Sequence, residues 1–391
     1  IGMDRLAFRL RNALDTGEPT VTGQVFSDGV GIQACLNALQ PHWHRARQDA
    51  AEANKHAGRS PRRRAGVGLA CCWYGCGNTS LPNPSTIKLG LHRDGDVVLF
   101  QGAIDIGQGA STVMTQIAAD ALGLPISAFR LESADTDQTP DAGKTSASRQ
   151  TFVSGNAAKL AGASLKRELL RHANASDNGT LDLQNGVLTI REAGVIHAVD
   201  MRSLEADRDG FVALVEESYD PPTSPLDANG QGEPYALFGY GAHLVELVVD
   251  MELGTVQLER LIAAHDVGRA INPTLIEGQV EGGVAQGIGL ALMENYVPGR
   301  TENLHDYLIP TIGDMPQIET IIIEEPASEG PFGAKGLGEH VLIPTAPAIL
   351  NAIRDATGAV IDKLPATPDR VLAAIKAGGS AAGLDLGGGD E

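Results

Sequence analysis

Residues 85–102, STIKLGLHRDGDVVLFQG, set alternating apolar side chains around an Asp-Gly pair. Alternation is the period of a strand, and Asp-Gly supplies the positive φ angles of a tight hairpin turn. The segment is read as a β-hairpin. Outward from it the pattern alternates in kind. STVMTQIAADALG (111–123) is helical, with Ser111 as N-cap and Gly123 at its end. TFVSGNAAKLAGASLKRELLRHA (151–173) is a longer helix. TLDLQNGVLTI (180–190), turning at Asn185-Gly186, and HLVELVVDMELGTVQLERLIAAHDVG (243–268) are further hairpins. IEGQVEGGVAQGIGLALMEN (276–295) is an apolar helix whose glycines cost stability, so something is expected to pack closely against it. Hairpins and helices alternate without a regular βαβ period, which makes the chain α+β.

Before Ala65, residues 1–15 form an amphipathic helix with Leu6, Leu10 and Leu14 one turn apart, and a second helical piece lies around IQACLNAL. The charged segment Arg45–Arg64 carries few core residues and reads as a connection between domains. Its basic cluster, RSPRRR (59–64), suits a solvated linker better than a partner contact. The glycine-rich end is expected to be flexible. These shifts divide the chain into residues 1–64, 65–376 and a tail at 377–391.

The 391 residues carry 49 Asp and Glu against 30 Lys and Arg, a formal charge of −19. That acidity argues against nucleic acid or an anionic membrane as partner, and no uncharged apolar run would span a bilayer. Four cysteines (Cys35, Cys71, Cys72, Cys76) make no disulfide framework for this length, and CCWYGC (71–76) lacks a paired CxxC. Structural thiols on a strand and turn are expected, rather than a metal site or a nucleophile.

Four glycine-punctuated polar segments stand apart: DIGQGAST (105–112), GKTSASRQT (143–151), EGQVEGG (277–283) and GAKGLGE (333–339). Three lie just before or at the start of an expected helix, where free N–H groups favour anions and polar ligands. Converging, they would suit a large polar cofactor. Neither the Walker A spacing nor GxGxxG occurs. In GPFGAKGLGEH (330–340), a flexible loop delivers Glu339 near the helix that opens at the N-cap candidate Thr345, with Ala346, Ile349, Leu350 and Ile353 on its apolar face. Locally, Glu339 reads either as a helix cap or as a base held beside a cofactor.

In this order, the segments resemble the molybdenum-binding subunit of the xanthine oxidase/aldehyde oxidoreductase family of molybdenum hydroxylases. DIGQGASTVMTQIAADALGLP resembles the family's Gly-Gln-Gly segment at the pterin, and KTSASRQTFVSGNA its Ala-Ser loop. HDVGRAINPTLIEGQVEGGVAQGIG resembles the stretch ending in a cofactor-contacting glutamine, and GPFGAKGLGEHVLIPTAPAILNAI the segment bearing the catalytic glutamate. The resemblance implies a molybdopterin-binding domain of this type. Glu339 would be the catalytic base, taking a proton from the nucleophile that attacks an electron-poor carbon. Gly107, Gln108, Gly109, Ser146, Ala147, Ser148, Arg149, Gln150, Thr151, Gln279, Lys335, Gly336, Leu337 and Gly338 would contact the cofactor. The metal would be held by the pterin dithiolene rather than by side chains.

The resemblance also implies a molybdenum–molybdopterin cofactor in its cytosine dinucleotide form. Partners would be a chain carrying the N-terminal half of the molybdenum subunit, an iron–sulfur subunit with 2Fe–2S clusters and an FAD subunit. An N-heterocycle is the expected small-molecule substrate. An aldehyde, a non-catalytic assembly role and a cysteine- or zinc-dependent hydrolase are the alternatives. The cytoplasm is the expected compartment.

Overall fold

The computed structural model describes residues 2–56, 62–78 and 81–378. Its helices are α1 (Arg5–Asn12), α2 (Ile32–His56), α3 (Ala110–Leu122), α4 (Gly155–His172), α5 (Pro273–Leu292), α6 (Thr345–Thr357) and α7 (Pro368–Gly378). Its strands are β1 (Arg63–Gly75), β2 (Ser85–His92), β3 (Val97–Gln101), β4 (Phe129–Ser133), β5 (Thr180–Gln184), β6 (Val187–Glu192), β7 (Val195–Asp200), β8 (Phe211–Tyr219), β9 (Phe238–Asp250), β10 (Val256–Asp266) and β11 (Gln317–Ile323). The hairpins β2–β3, β5–β6 and β9–β10 form where alternation and turn residues placed them. Asn185 and Gly186 both adopt positive φ, as their turn requires. The α+β class stands.

One sheet has the order β1-β9-β10-β11, antiparallel except for the parallel β10–β11 pair. Helices cover both of its faces. Tyr240, Ala242 and Leu244 of β9 pack with Leu36, Leu39 and Trp43 of α2. Val245, Leu247 and Val249 pack with Val280, Val284 and Ile349 of α5 and α6. Burial on both faces is why β9 reads as a nearly continuous apolar run. The second sheet, β4-β3-β2-β8, buries Ile87, Leu89 and Leu99 against Ile117 of α3 and Ala161 and Leu165 of α4. The three-stranded β5-β6-β7 sheet adds Leu188 and Ile190 to that core.

Some expectations are corrected. Arg45–His56 is the second half of α2 and Arg63 and Arg64 open β1, not a connection; residues 57–61 of the charged segment lie outside the described residues. α2 contains Pro41, whose ring removes a helical hydrogen bond, and its buried stripe Ile32, Cys35, Leu36, Leu39 continues past it through Trp43 and Ala46. Trp43 is 1% exposed and its Nε1–H donates to the Asp4 carboxylate at 3.0 Å, so tertiary burial offsets the cost of the proline. Leu6 anchors α1, but the helix ends at Asn12 and Leu14 lies beyond it. Ser111 does not cap α3: Gly109 holds the N-cap position, and the Asp105 carboxylate accepts the N–H groups of Gly107, Gly109 and Ser111. Burial opposes it, but those bonds hold Asp105 below the usual carboxylate range. Thr345 is the first residue of α6 rather than its cap, and its hydroxyl pairs with His243. Cys35, Cys72 and Cys76 are buried as expected, whereas Cys71 is exposed. Residues 377 and 378 end α7, and 379–391 lie outside the described residues.

The close approach expected on α5 is present. A Cβ on Gly283 would meet Val341 at 2.3 Å, and one on Gly287 would meet Thr345 at 2.4 Å. The glycines let α5 lie against the segment that follows Glu339. Among the described residues no helix is long and apolar enough to cross a membrane.

Beneath this segment lie three imidazoles with no solvent exposure: His243, His265 and His340. The Nε2 atoms of His243 and His265 are 2.7 Å apart, and His243 Nδ1 is 3.1 Å from Thr345 Oγ1. A Cβ on Gly241 would lie 2.4 Å from the His265 ring, so glycine seats the imidazole. Burial pushes His265 down to about 3 and holds His243 and His340 well below the ordinary value of 6.5. The folded state keeps them neutral, while the unfolded chain binds protons below about pH 6.5. Their contribution to stability is therefore present above that value and is lost as the pH falls. We expect the loss to approach about 4 kcal/mol per pH unit once all three protonate on unfolding. Urea midpoints at about pH 7.5 and about pH 5.5 read it, in a window where most carboxylates stay charged. Equal midpoints would contradict neutral burial.

Candidate functional site

The four glycine-punctuated segments meet at one cleft of about 450 Å³. Gly107 and Gln108 come from the turn before α3, and Thr145, Ser146, Ser148, Arg149, Gln150 and Thr151 from the loop before α4. Gln279, Gly282, Gly283 and Gln286 form one face of α5 at helical spacing. Gly336, Leu337, Gly338 and Glu339 close the cleft from the loop before α6. An apolar cleft of about 500 Å³, between α1, the start of α2 and Cys71–Trp73, holds none of these segments.

The Ala-Ser loop is held in a costly conformation. Ala147 and Ser148 have φ of 54° and 50°, values non-glycine residues adopt at a penalty and that collect at functional sites. The Ala147 carbonyl accepts the Gly77 N–H at 2.8 Å, which fixes the loop to the end of β1. Arg149 is 1% exposed and spends its guanidinium on backbone carbonyls: Ala142, Lys144 at 3.1 Å, Asn83 at 2.9 Å and Pro84 at 2.8 Å. Its side chain clamps the loop from behind and offers the cleft no free charge. Gln150 does similar work, donating to the Lys144 carbonyl and accepting from Ser154 at 2.5 Å. Gln108 accepts from the Ile106 N–H at 2.6 Å and donates to the Ile104 carbonyl, closing its own turn.

Three residues assigned to the cofactor by resemblance sit differently, the first being Ala147, whose carbonyl is held by Gly77. Lys335 does not line this cleft. Its amine is fully buried, 2.5 Å from Asp266 Oδ2 and 2.6 Å from the Gly29 carbonyl, so it ties the glycine loop to the end of β10. Gly109 sits at the start of α3, where a Cβ would meet Leu275 at 2.8 Å.

Glu339 is not a helix cap. Its Oε2 accepts the Tyr74 hydroxyl at 2.5 Å and the Ser148 hydroxyl at 3.3 Å, and its own N–H donates to Ser148 Oγ at 3.0 Å. Burial, then the bond to Glu339, pushes the Tyr74 phenol up. The sequence reading missed Tyr74 because a strand residue next to cysteines carries no local mark of a carboxylate 265 positions away. It also missed Gln286, whose signal was present: seven residues after Gln279 puts it two turns along the same face.

The cleft has the donor set and shape for a pterin-sized polar group. Carboxamides and hydroxyls line it, and Cβ positions on Gly107 and Gly282 would meet nothing within 4 Å, so both glycines face open space. Among the described residues, no group of three or more His, Cys, Asp or Glu side chains is arranged to hold a metal.

Residues 38–316 match the molybdopterin cofactor-binding domain family. The chain is 34% identical to the putative xanthine dehydrogenase molybdenum-binding subunit of Escherichia coli, over 95% of this chain and 49% of the relative. It is 32% identical to the nicotine 6-hydroxylase large subunit of Paenarthrobacter nicotinovorans, over 75% of this chain and 36% of the relative. The crystal structure of the aldehyde oxidoreductase from Desulfovibrio desulfuricans superposes with a TM-score of 0.79 at 30% identity, covering 95% of this chain and 38% of that one. The chain spans about half the length, or less, of the curated relatives it matches. Matched across nearly its whole described length by sequence and fold, the chain belongs to the molybdopterin cofactor-binding domain family and is homologous to the C-terminal part of xanthine oxidase-type molybdenum-binding subunits.

Proposed function

We propose that this chain is the catalytic, molybdopterin-binding part of a multi-subunit molybdenum hydroxylase that hydroxylates an electron-poor carbon of an N-heterocycle with oxygen from water. The observation that carries this reading is the convergence of four separate polar segments on one cleft with Glu339 at its edge. A relative named nicotine 6-hydroxylase favours the heterocycle; the solved aldehyde oxidoreductase keeps an aldehyde as the alternative.

Gln108, Gln279 and the 146–151 loop would hold the cofactor, with Gly336, Leu337 and Gly338 offering backbone contacts. When bound, the molybdenum cofactor supplies the two-electron redox step. The protein's own contribution is acid–base and geometric. Among the described residues, Oε2 of Glu339 is occupied by two hydroxyls and Oε1 accepts no bond. Oε1 is then the atom that takes the proton. Of the charged residues lining the cleft, Arg149 spends its guanidinium on backbone carbonyls, which leaves Glu339 as the acid–base group there.

The cofactor is taken as the cytosine dinucleotide form. The remaining units would be a chain carrying the N-terminal half of the subunit (with residues 1–64 as the end of its cofactor-binding unit and 65–376 as the next), a 2Fe–2S subunit and an FAD subunit, assembled in the cytoplasm. Relatives named as subunits support assembly with partners. Elemental analysis of the native complex should find molybdenum, and acid hydrolysis should release CMP. A fully assembled complex without molybdenum would refute the catalytic reading; molybdenum with another nucleotide would correct only the cofactor form.

A further inference from the structure

We propose that Tyr74 is a positioning residue that pins the Glu339 carboxylate through Oε2 and so leaves Oε1 to take the substrate-side proton. The inference rests on the hydroxylase reading and concerns how its base is held. Tyr74 Oη donates to Oε2 at 2.5 Å, and Ser148 Oγ donates to the same oxygen at 3.3 Å. Both bonds fall on one oxygen, which fixes the rotation of the carboxylate. Tyr74 is not among the residues lining the cleft; it reaches Glu339 from β1.

Its ring is itself fixed. Tyr74 pairs across the sheet with Gly239, and a Cβ on Gly239 would lie 2.5 Å from the His340 ring. The glycine therefore admits the imidazole, which lies nearly parallel to the phenol, 24° between planes with centroids 6.5 Å apart. Sheet pairing, His340 and Glu339 together leave the phenol one arrangement. Besides Glu339, the titratable groups acting on the phenol are Cys76 and Tyr235; His340 is neutral by burial, and Ser148 faces Glu339 from the loop.

A hydroxyl donated to a carboxylate stabilises the ionised form. Removing it should leave the Glu339 carboxylate freer to rotate. In the assembled complex, Tyr74→Phe is expected to lower kcat about ten-fold with KM within about two-fold, since one hydrogen bond to a charged group is lost. A residue that only filled space would leave kcat unchanged in this variant, because phenylalanine keeps the ring and removes only the hydroxyl.

A second measurement needs neither turnover nor a Tyr74 variant. In an alkaline titration of tyrosinate absorbance, one phenol should ionise at lower pH in Glu339→Gln than in the unaltered protein, because the carboxylate that opposes its ionisation is gone. Wild-type kcat in Tyr74→Phe would overturn the proposal, as would identical phenol titrations in the two proteins. Failure of the hydroxylase reading looks different: Glu339→Gln would then turn over at the unaltered rate.

Discussion

Glu339→Gln is expected to lower kcat by about 10²–10⁴-fold with molybdenum content and melting temperature unchanged. The substitution keeps the volume, and a carboxamide oxygen still accepts the Tyr74 and Ser148 hydroxyls, so the loop geometry has no reason to move. What disappears is the capacity to take a proton. An isosteric change that spares binding and abolishes turnover is the signature of a base acting in the transition state rather than of a cap or a strut. The measurement is steady-state turnover with a dye acceptor, normalised to metal content. Retention of more than about a tenth of the rate in fully loaded protein would remove Glu339 from its role.

Gly336→Ala should strip the protein of cofactor. A Cβ there would stand 1.7 Å from the Ser148 carbonyl oxygen and 2.8 Å from its carbon, backbone atoms that cannot rotate away. The chain must open the contact between the glycine loop and the Ala-Ser loop, and the second of these already carries two residues at positive φ. Both loops line the cleft, so displacement by even half the overlap removes several of its walls. We expect molybdenum content to fall below about a tenth while the two helix-covered sheets, which do not depend on this contact, keep their circular dichroism. Gly278→Ala is the matched control. Its Cβ would meet nothing within 4 Å, and alanine in a helix is worth about 0.5–1 kcal/mol over glycine, so cofactor content should hold and stability rise. Equal molybdenum in Gly336→Ala would show that the loops are not the cofactor's walls.

The extent of sequence legibility follows from the range of the interaction involved. Hairpins at 85–102, 180–190 and 243–268 and the helices α3, α4 and α6 depend on periodicity and turn residues within a few positions, and these were read correctly. The polar segments around the cleft were legible for the same reason, as glycine-rich breaks beside helices. Their assembly into one site was implied by family resemblance, not by local pattern.

Where local rules competed with distant contacts, local rules lost. Pro41 should end a helix, but Trp43 and Ala46 bury against the first sheet and carry α2 on to His56. Ser111 and Thr345 have the side chains of N-caps, yet an upstream carboxylate caps α3 and a buried imidazole takes the Thr345 hydroxyl. Lys335 was assigned to the cofactor by resemblance alone, and its amine is bonded to the buried Asp266 at the end of β10.

By itself, then, the sequence determined the α+β class, the strand and helix periods and the four segments bearing polar and acid–base chemistry, because each is written in residues close along the chain. Only the tertiary structure decided that Tyr74 and Ser148 hold Glu339 by one oxygen, that Arg149 is spent on backbone carbonyls and Lys335 on Asp266, and that three neutral imidazoles lie beneath it. Those outcomes depend on burial and on pairings across as many as 265 residues, where desolvation and hydrogen-bond satisfaction outweigh anything a short window of sequence can express.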